Sequence, residues 1–297
     1  MDYFRTFAEL TAEYGYNPAQ ARDSDVVWFD TLDNNLTVAT TAMINELTPE
    51  TVGLKDKKVI CRAIDMDVWA GHYRNVDWSF VDDLIFIAPH IQKVVTDEVD
   101  FSKFKTKIHM IPCGVDVDKF NFNIPPNPRG YNIAWVAERW FAKGIDYFLQ
   151  FAAMLYKKDP QYKIYAVGRW ADNAESGWYR AYIDSFIAKN KMNVEFIDIV
   201  EDMNKFLEEM SYAICFSKKE AFSYVIAEGM CKGLKPIIHN FYGAEAIWDK
   251  QYIWNTIDEA IEMVTGGDYT PYIYRKYIEE NYPIKLMLER IYNVIKS

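Results

Sequence analysis

Histidine and cysteine are scarce in this chain, with four of each among 297 residues. The cysteines, Cys61, Cys113, Cys215 and Cys231, form no Cys-x-x-Cys pair, so the chain encodes neither a zinc-knuckle pattern nor a dithiol redox motif. Cys61 and Cys215 fall inside apolar strand patterns and are expected as buried thiols. No apolar run approaches the ~20 residues that a membrane-spanning helix needs, and no leader-like segment is recognised. Together these features predict a cytoplasmic protein. Positive charge is also short: 33 Lys+Arg face 43 Asp+Glu, a formal net charge of −10. The deficit is concentrated up to Phe122, where 12 basic residues face 20 acidic ones; the remainder has 21 and 23. Such a balance excludes a broad basic face for nucleic acid or anionic lipid.

Apolar residues are plentiful, at 50% of the chain. They recur as short strand-like runs alternating with helical ones, the pattern of a parallel α/β sheet. Strands are predicted at 25–29, 57–64, 83–88 and 107–112, then at 131–137, 163–168, 193–198, 212–217 and 234–239. Helices are predicted over 141–157, 177–189 and 202–210. The stretch NFNIPPNPRG, 121–130, carries three prolines and a glycine with little periodicity, and reads as a linker. The expected organisation is a domain over 1–122 and another over 123–297. In doubly wound sheets, ligands bind beyond the carboxyl ends of the strands.

The most informative segment is FSKKEAFSYVIAEGMCKGLKPIIHN, 216–240. Glu220 sits on a turn after a strand, and Glu228 follows eight residues later along a helix. Between them, Phe222 and Ser223 mark a helix start whose backbone N–H groups suit an anion. Carboxylates accept hydrogen bonds from sugar hydroxyls. A ligand with an anionic part and several hydroxyls, such as a nucleotide sugar, satisfies both. Two solvated glutamates on a surface helix are the competing reading of the same spacing.

This Glu-x7-Glu segment resembles that of the retaining family 4 glycosyltransferases. IPCGVDVDKF, 111–120, resembles the family's Ile-Pro-Asn-Gly-Val-Asp segment, and AWVAERWFAKGID, 134–146, resembles its Val-Gly-Arg-Leu…Lys-Gly segment. The resemblance implies the GT-B fold: two Rossmann-like doubly wound domains facing a cleft, here with a shortened N-terminal domain. The family opens with an apolar strand and a glycine-rich loop, whereas this chain opens with MDYFRTFAELTAEYG, an amphipathic helical pattern. The last helical stretch, from Tyr277 onward, is expected to cross back to the first domain.

By resemblance, Arg139 and Lys143 bind the donor diphosphate and stabilise the charge of the leaving group. Glu220 contacts the transferred sugar. Glu228 holds the ribose, Phe222 and Ser223 offer backbone N–H groups, Gly168 lets the backbone approach the nucleotide, and Val200 lies by the base. Two departures stand out. Glu138 occupies a place the family gives to glycine, and Arg139 lies one residue closer to Lys143 than the pattern has it. The first-domain histidine of relatives is replaced, near Ile64 or Asp65.

No metal site and no cofactor are expected. The Asp116/Asp118 pair belongs to a capped turn, and Asp67 of the Asp65/Asp67 pair is a candidate for an acceptor hydroxyl or for a cap. The implied activity is metal-independent, retaining transfer of a sugar from a nucleoside diphosphate sugar, UDP- or GDP-linked, to an acceptor hydroxyl of a glycan, lipid or protein. A non-catalytic GT-B subunit that binds a partner enzyme or glycan is the alternative, with a sugar-nucleotide epimerase behind it.

Overall fold

The computed structural model describes residues 17–32, 54, 56–122, 129–170 and 177–297. The opening helical pattern and most of the Pro-rich linker lie outside these residues. The chain divides into two compact units, Met1–Cys113 with Lys285–Ser297, and Gly114–Ile284.

The first unit holds a short helix α1 (Pro18–Arg22), then β1 (Val26–Phe29), β2 (Lys58–Ala63), α2 (Asp65–Ala70), β3 (Asp83–Phe86), α3 (Pro89–Thr96) and β4 (Lys107–Met110). The strands form one parallel sheet in the order β1-β2-β3-β4. All four residues of β3 are buried, as expected of a strand covered on both faces.

The second unit contains β5 (Asn132–Val136), α4 (Ile145–Lys158), β6 (Lys163–Val167), α5 (Gly177–Lys189), β7 (Val194–Ile197), α6 (Met203–Leu207) and β8 (Tyr212–Cys215). It continues with α7 (Tyr224–Cys231), β9 (Lys235–His239), β10 (Ile253–Trp254), α8 (Ile257–Thr265) and α9 (Pro271–Asn281). Its six parallel strands run β10-β9-β8-β5-β6-β7. The strand order therefore reverses between β5 and β8. At such a switch point the loops leaving neighbouring strands diverge and open a crevice at their carboxyl ends. Trp135 stacks on Phe148 at 4.2 Å between ring centres, and Phe216 and Trp254 close the same core.

All nine predicted strands are present, trimmed by one or two residues at their ends. The two-residue β10 has too little pattern to be seen in sequence. The boundary between the units falls earlier than the linker suggested. Gly114–Phe122 belongs with the second unit because Val115 exchanges backbone bonds of 2.8 and 2.9 Å with Tyr282 and Ile284. Arg275 also donates to the carbonyls of Val117 and Phe120 at 2.9 and 2.7 Å. The terminal helix α10 (Ile284–Lys296) belongs to the first unit from Lys285 onward, and there Ile291 and Val294 pack with Ile60, Ile85 and Ile111. Lys58 there donates to the carbonyl of Val294 and pairs with the buried Asp83 at 3.2 Å.

Candidate functional site

The two loops that leave the sheet at its switch point carry Lys143 and Glu220. Gly144, with φ +73°, follows Lys143 and abuts β8's exit: a Cβ there would run into the carbonyl of Phe216. Only glycine allows the β5 loop this approach. The loops are then joined by a backbone bond from Lys218 N–H to the Ala142 carbonyl at 2.9 Å. The result is an ion pair between Lys143 Nζ and Glu220 Oε2 at 2.8 Å, with Ser217 Oγ donating to the same oxygen at 3.1 Å. Both side chains keep some solvent access, 27% for Lys143 and 15% for Glu220.

The chain after Glu220 enters α7. Ser223 occupies the N-cap position but its side chain makes no capping bond. The backbone N–H groups of Phe222 and Ser223 have no acceptor among the described residues. Phe222 is buried behind this turn, stacked at 5.4 Å on Trp248 and edge-on to Tyr282. The aromatic packing fixes the turn while leaving its amides unpaired.

Glu228 lies one turn further along α7. It is half-buried, and its carboxylate makes no hydrogen bond or ion pair among the described residues. Burial pushes its carboxyl up to about 7, opposed only by the charge of Lys119. A carboxylate so placed lacks partners that sugar hydroxyls would supply.

Arg139 is not gathered with Lys143 and Glu220. Its side chain is 5% exposed and turns toward β6 and β7. The guanidinium donates to the carbonyls of Ala166 and Ile197 at 3.2 and 2.8 Å and pairs with Asp198 at 3.1 Å. It also lies 5.1 Å from the centre of the Phe196 ring. These bonds tie the ends of the last two strands together. Glu138 beside it is exposed.

Gly168, with φ +139°, ends β6, where a Cβ would meet the carbonyl of Ala137. A neighbouring strand therefore accounts for the glycine. Val200 is half-buried on the loop after β7. In the first unit, Asp67 is buried within α2 and its Oδ2 accepts the Leu32 N–H at 2.9 Å, a tie to the segment after β1 rather than a cap of its own helix. Asp116 caps its turn by accepting from Asp118 and Lys119 N–H at 3.1 and 2.9 Å.

Sequence reasoning passed over His239, at the end of β9. Its Nδ1–H donates to the Ser217 carbonyl at 2.8 Å, and burial lowers its pKa, favouring the neutral ring. The imidazole thus steadies the loop that carries Glu220. A lone histidine at a strand end has no spacing that signals this.

Comparisons with known proteins bear on the same region. The family model described as Glycosyl transferases group 1 matches residues 130–264. A GDP-mannose:cellobiosyl-diphosphopolyprenol alpha-mannosyltransferase of Xanthomonas oryzae pv. oryzae is 25% identical over 133 residues, 45% of this chain and 34% of that protein. The chain thus spans about a third of the length of that curated relative. Among solved structures, Anabaena HepE in complex with UDP superposes with a TM-score of 0.75 at 14% identity, covering 94% of this chain and 80% of HepE. TarM of S. aureus, in a complex that includes UDP, gives 0.66 at 15% identity, covering 89% of this chain and 59% of TarM. The chain resembles the GT-B glycosyltransferases, and its fold is theirs.

Proposed function

We propose that this chain is a glycosyltransferase that moves a sugar from a nucleoside diphosphate sugar to an acceptor hydroxyl, with retention at the anomeric carbon and without a metal. One observation carries the reading. The Lys143–Glu220 pair sits at the switch point, beside two unpaired amides and ahead of a partnerless Glu228. The amides and Lys143 would take the diphosphate, whose charge grows as the glycosidic bond breaks. Glu220 would accept from the transferred sugar, and Glu228 from the ribose. In retaining transfer on one face, the departing phosphate oxygen takes the acceptor's proton, so no separate base is required of the protein. The matched family model and the mannosyltransferase relative support the same class of activity. Four free, buried thiols suit a reducing compartment, and we assign the reaction to the cytoplasm. Among the described residues no helix is long and apolar enough to cross a membrane.

The test is calorimetric titration with UDP and GDP beside a transfer or donor-hydrolysis assay. Wild type is expected to bind one of the two, and activity to survive EDTA; loss in EDTA with recovery on adding Mn²⁺ refutes metal independence. Glu220→Gln is expected to cut turnover by about 1–3 kcal/mol of transition-state stabilisation, since a charge-assisted bond is lost. Nucleotide affinity should change much less.

The buried Arg139 and the exposed Glu138 favour one second reading, a binding subunit that has lost turnover. It predicts nucleotide binding with no transfer or hydrolysis in the same assays.

A further inference from the structure

The cations at the carboxyl ends of the second sheet are unequally engaged. Lys143 faces Glu220, and Lys218 faces both oxygens of Asp146 at 2.8 Å. Lys218 also sits 3.6 Å from the centre of the Phe141 ring. Arg139 is buried against Asp198 and two strand carbonyls. Lys219 differs from all three. It is half-buried on the loop between β8 and α7, adjoining Glu220, and makes no hydrogen bond, ion pair or ring contact among the described residues.

Two consecutive lysines ahead of a helix start run against the helix dipole. Asp146 offsets Lys218 alone. A partly buried ammonium with no counter-charge is a local conflict that an external anion resolves. The charge balance of the site points the same way. Lys143 and Glu220 cancel each other, so a diphosphate arriving there needs a further cation. Arg139 could supply it only by abandoning its bonds to Ala166, Ile197 and Asp198. Its backbone is held too: Arg139 N–H donates to the Arg169 carbonyl at 2.8 Å, on the side of β6 and away from β8.

Resting on the donor-binding reading above, we propose that Lys219 is the second cation on the donor diphosphate and that Arg139 is a positioning residue that does not touch it. Arg139 holds the exit of β5 against β6 and β7, and so sets where the loop delivers Lys143. Lys219 takes the phosphate contact from the opposite loop. Arg169, exposed and with no side-chain hydrogen bond or ion pair among the described residues, is the rival cation on the β6 side.

The experiment titrates UDP and GDP, and the matching nucleosides without phosphate, into wild type, Lys219→Ala, Lys219→Arg, Arg169→Ala and Arg139→Lys. Lys219→Ala should weaken the preferred nucleoside diphosphate by about tenfold or more, as expected for a charge-assisted phosphate bond. Affinity for the bare nucleoside should not change, and Lys219→Arg should restore binding to within about threefold, since the charge is kept. Arg139→Lys should lower the melting temperature while the folded fraction binds diphosphate within about threefold of wild type, the mark of support rather than contact. If wild type binds no nucleoside diphosphate, the donor-binding reading itself fails. If wild type binds and Lys219→Ala binds equally well, or Arg169→Ala carries the loss instead, the Lys219 assignment is overturned and the donor reading stands. Should Arg139→Lys keep its melting temperature yet lose diphosphate binding, Arg139 is a contact and its positioning role is wrong; should it fail to fold, the Lys219 pair decides.

Discussion

The two ends of the second sheet use their polar groups in opposite ways. At the amino end, Lys235 and Arg129 are spent on the last turn of α8. Lys235 Nζ donates to the carbonyls of Met263 and Gly266 at 2.6 and 3.2 Å. Arg129 donates to the carbonyls of Thr265, Gly266 and Gly267 at 3.1–3.3 Å. A cavity of about 470 Å³ lies here, lined by Lys235, Tyr252, Glu262, Asp268 and Tyr274 among others. At the carboxyl end the accounts stay open: Phe222 and Ser223 keep unpaired amides and Glu228 lacks a partner. The cations beside this hollow are already satisfied. Polar groups left without partners favour binding, because a ligand gains their bonds without breaking any the protein has already made. Volume alone does not locate the site.

Substitutions at the two ends should therefore separate function from stability. The largest effect is expected for Lys143→Ala. Transfer should lose on the order of 2–4 kcal/mol of transition-state stabilisation, seen as a fall in kcat/KM, with the melting temperature nearly unchanged. An unaltered kcat/KM in folded protein would close the gap between the two ends. Arg129→Ala should do the reverse. The carbonyls of Thr265 and Gly267 and the Tyr212 hydroxyl lose a donor, which costs about 1–3 kcal/mol. A lower melting temperature with unchanged nucleotide affinity is the expected pair of readings.

The smallest effect concerns Glu228. Its folded-state pKa is raised to about 7 from an ordinary 4.5. Between these values the folded protein binds more protons than the unfolded chain, so stability falls as pH rises through that window. Glu228→Gln should abolish this slope and stabilise the protein at pH 8 by about 1 kcal/mol, a figure reduced for solvent access. If ribose hydroxyls donate to Glu228, nucleotide binding near pH 7 should also release a proton, visible as a calorimetric enthalpy that depends on the buffer. A flat pH profile in wild type would remove the difference between Glu228 and an ordinary surface glutamate.

Much of the fold was legible in the chain because parallel strands buried on both faces leave continuous apolar runs, as in Tyr212–Cys215. The pairing of Lys143 with Glu220 was legible only as a common neighbourhood, through the Lys-Gly and Glu-x7-Glu spacings. The direction of Arg139 was not. Its neighbours Ala166, Ile197 and Asp198 lie 27 to 59 residues away in sequence, and nothing in Ala137–Lys143 encodes them. The placement of Gly114–Phe122 was missed for a similar reason: Arg275, distant in the chain, holds that segment.

What the sequence determined by itself is local: strand and helix order, the glycine after Lys143, and the carboxylates one helix apart. These follow from side-chain period and backbone freedom, which act over a few residues. The tertiary structure alone decided which charges are spent and which remain available. Arg139 and Lys219 are both cations on loops at the same sheet end, yet one is sealed by carbonyls of distant strands and the other meets none. That division depends on which chain segments the fold brings within hydrogen-bonding distance, and the range of a hydrogen bond is set in space, not along the sequence.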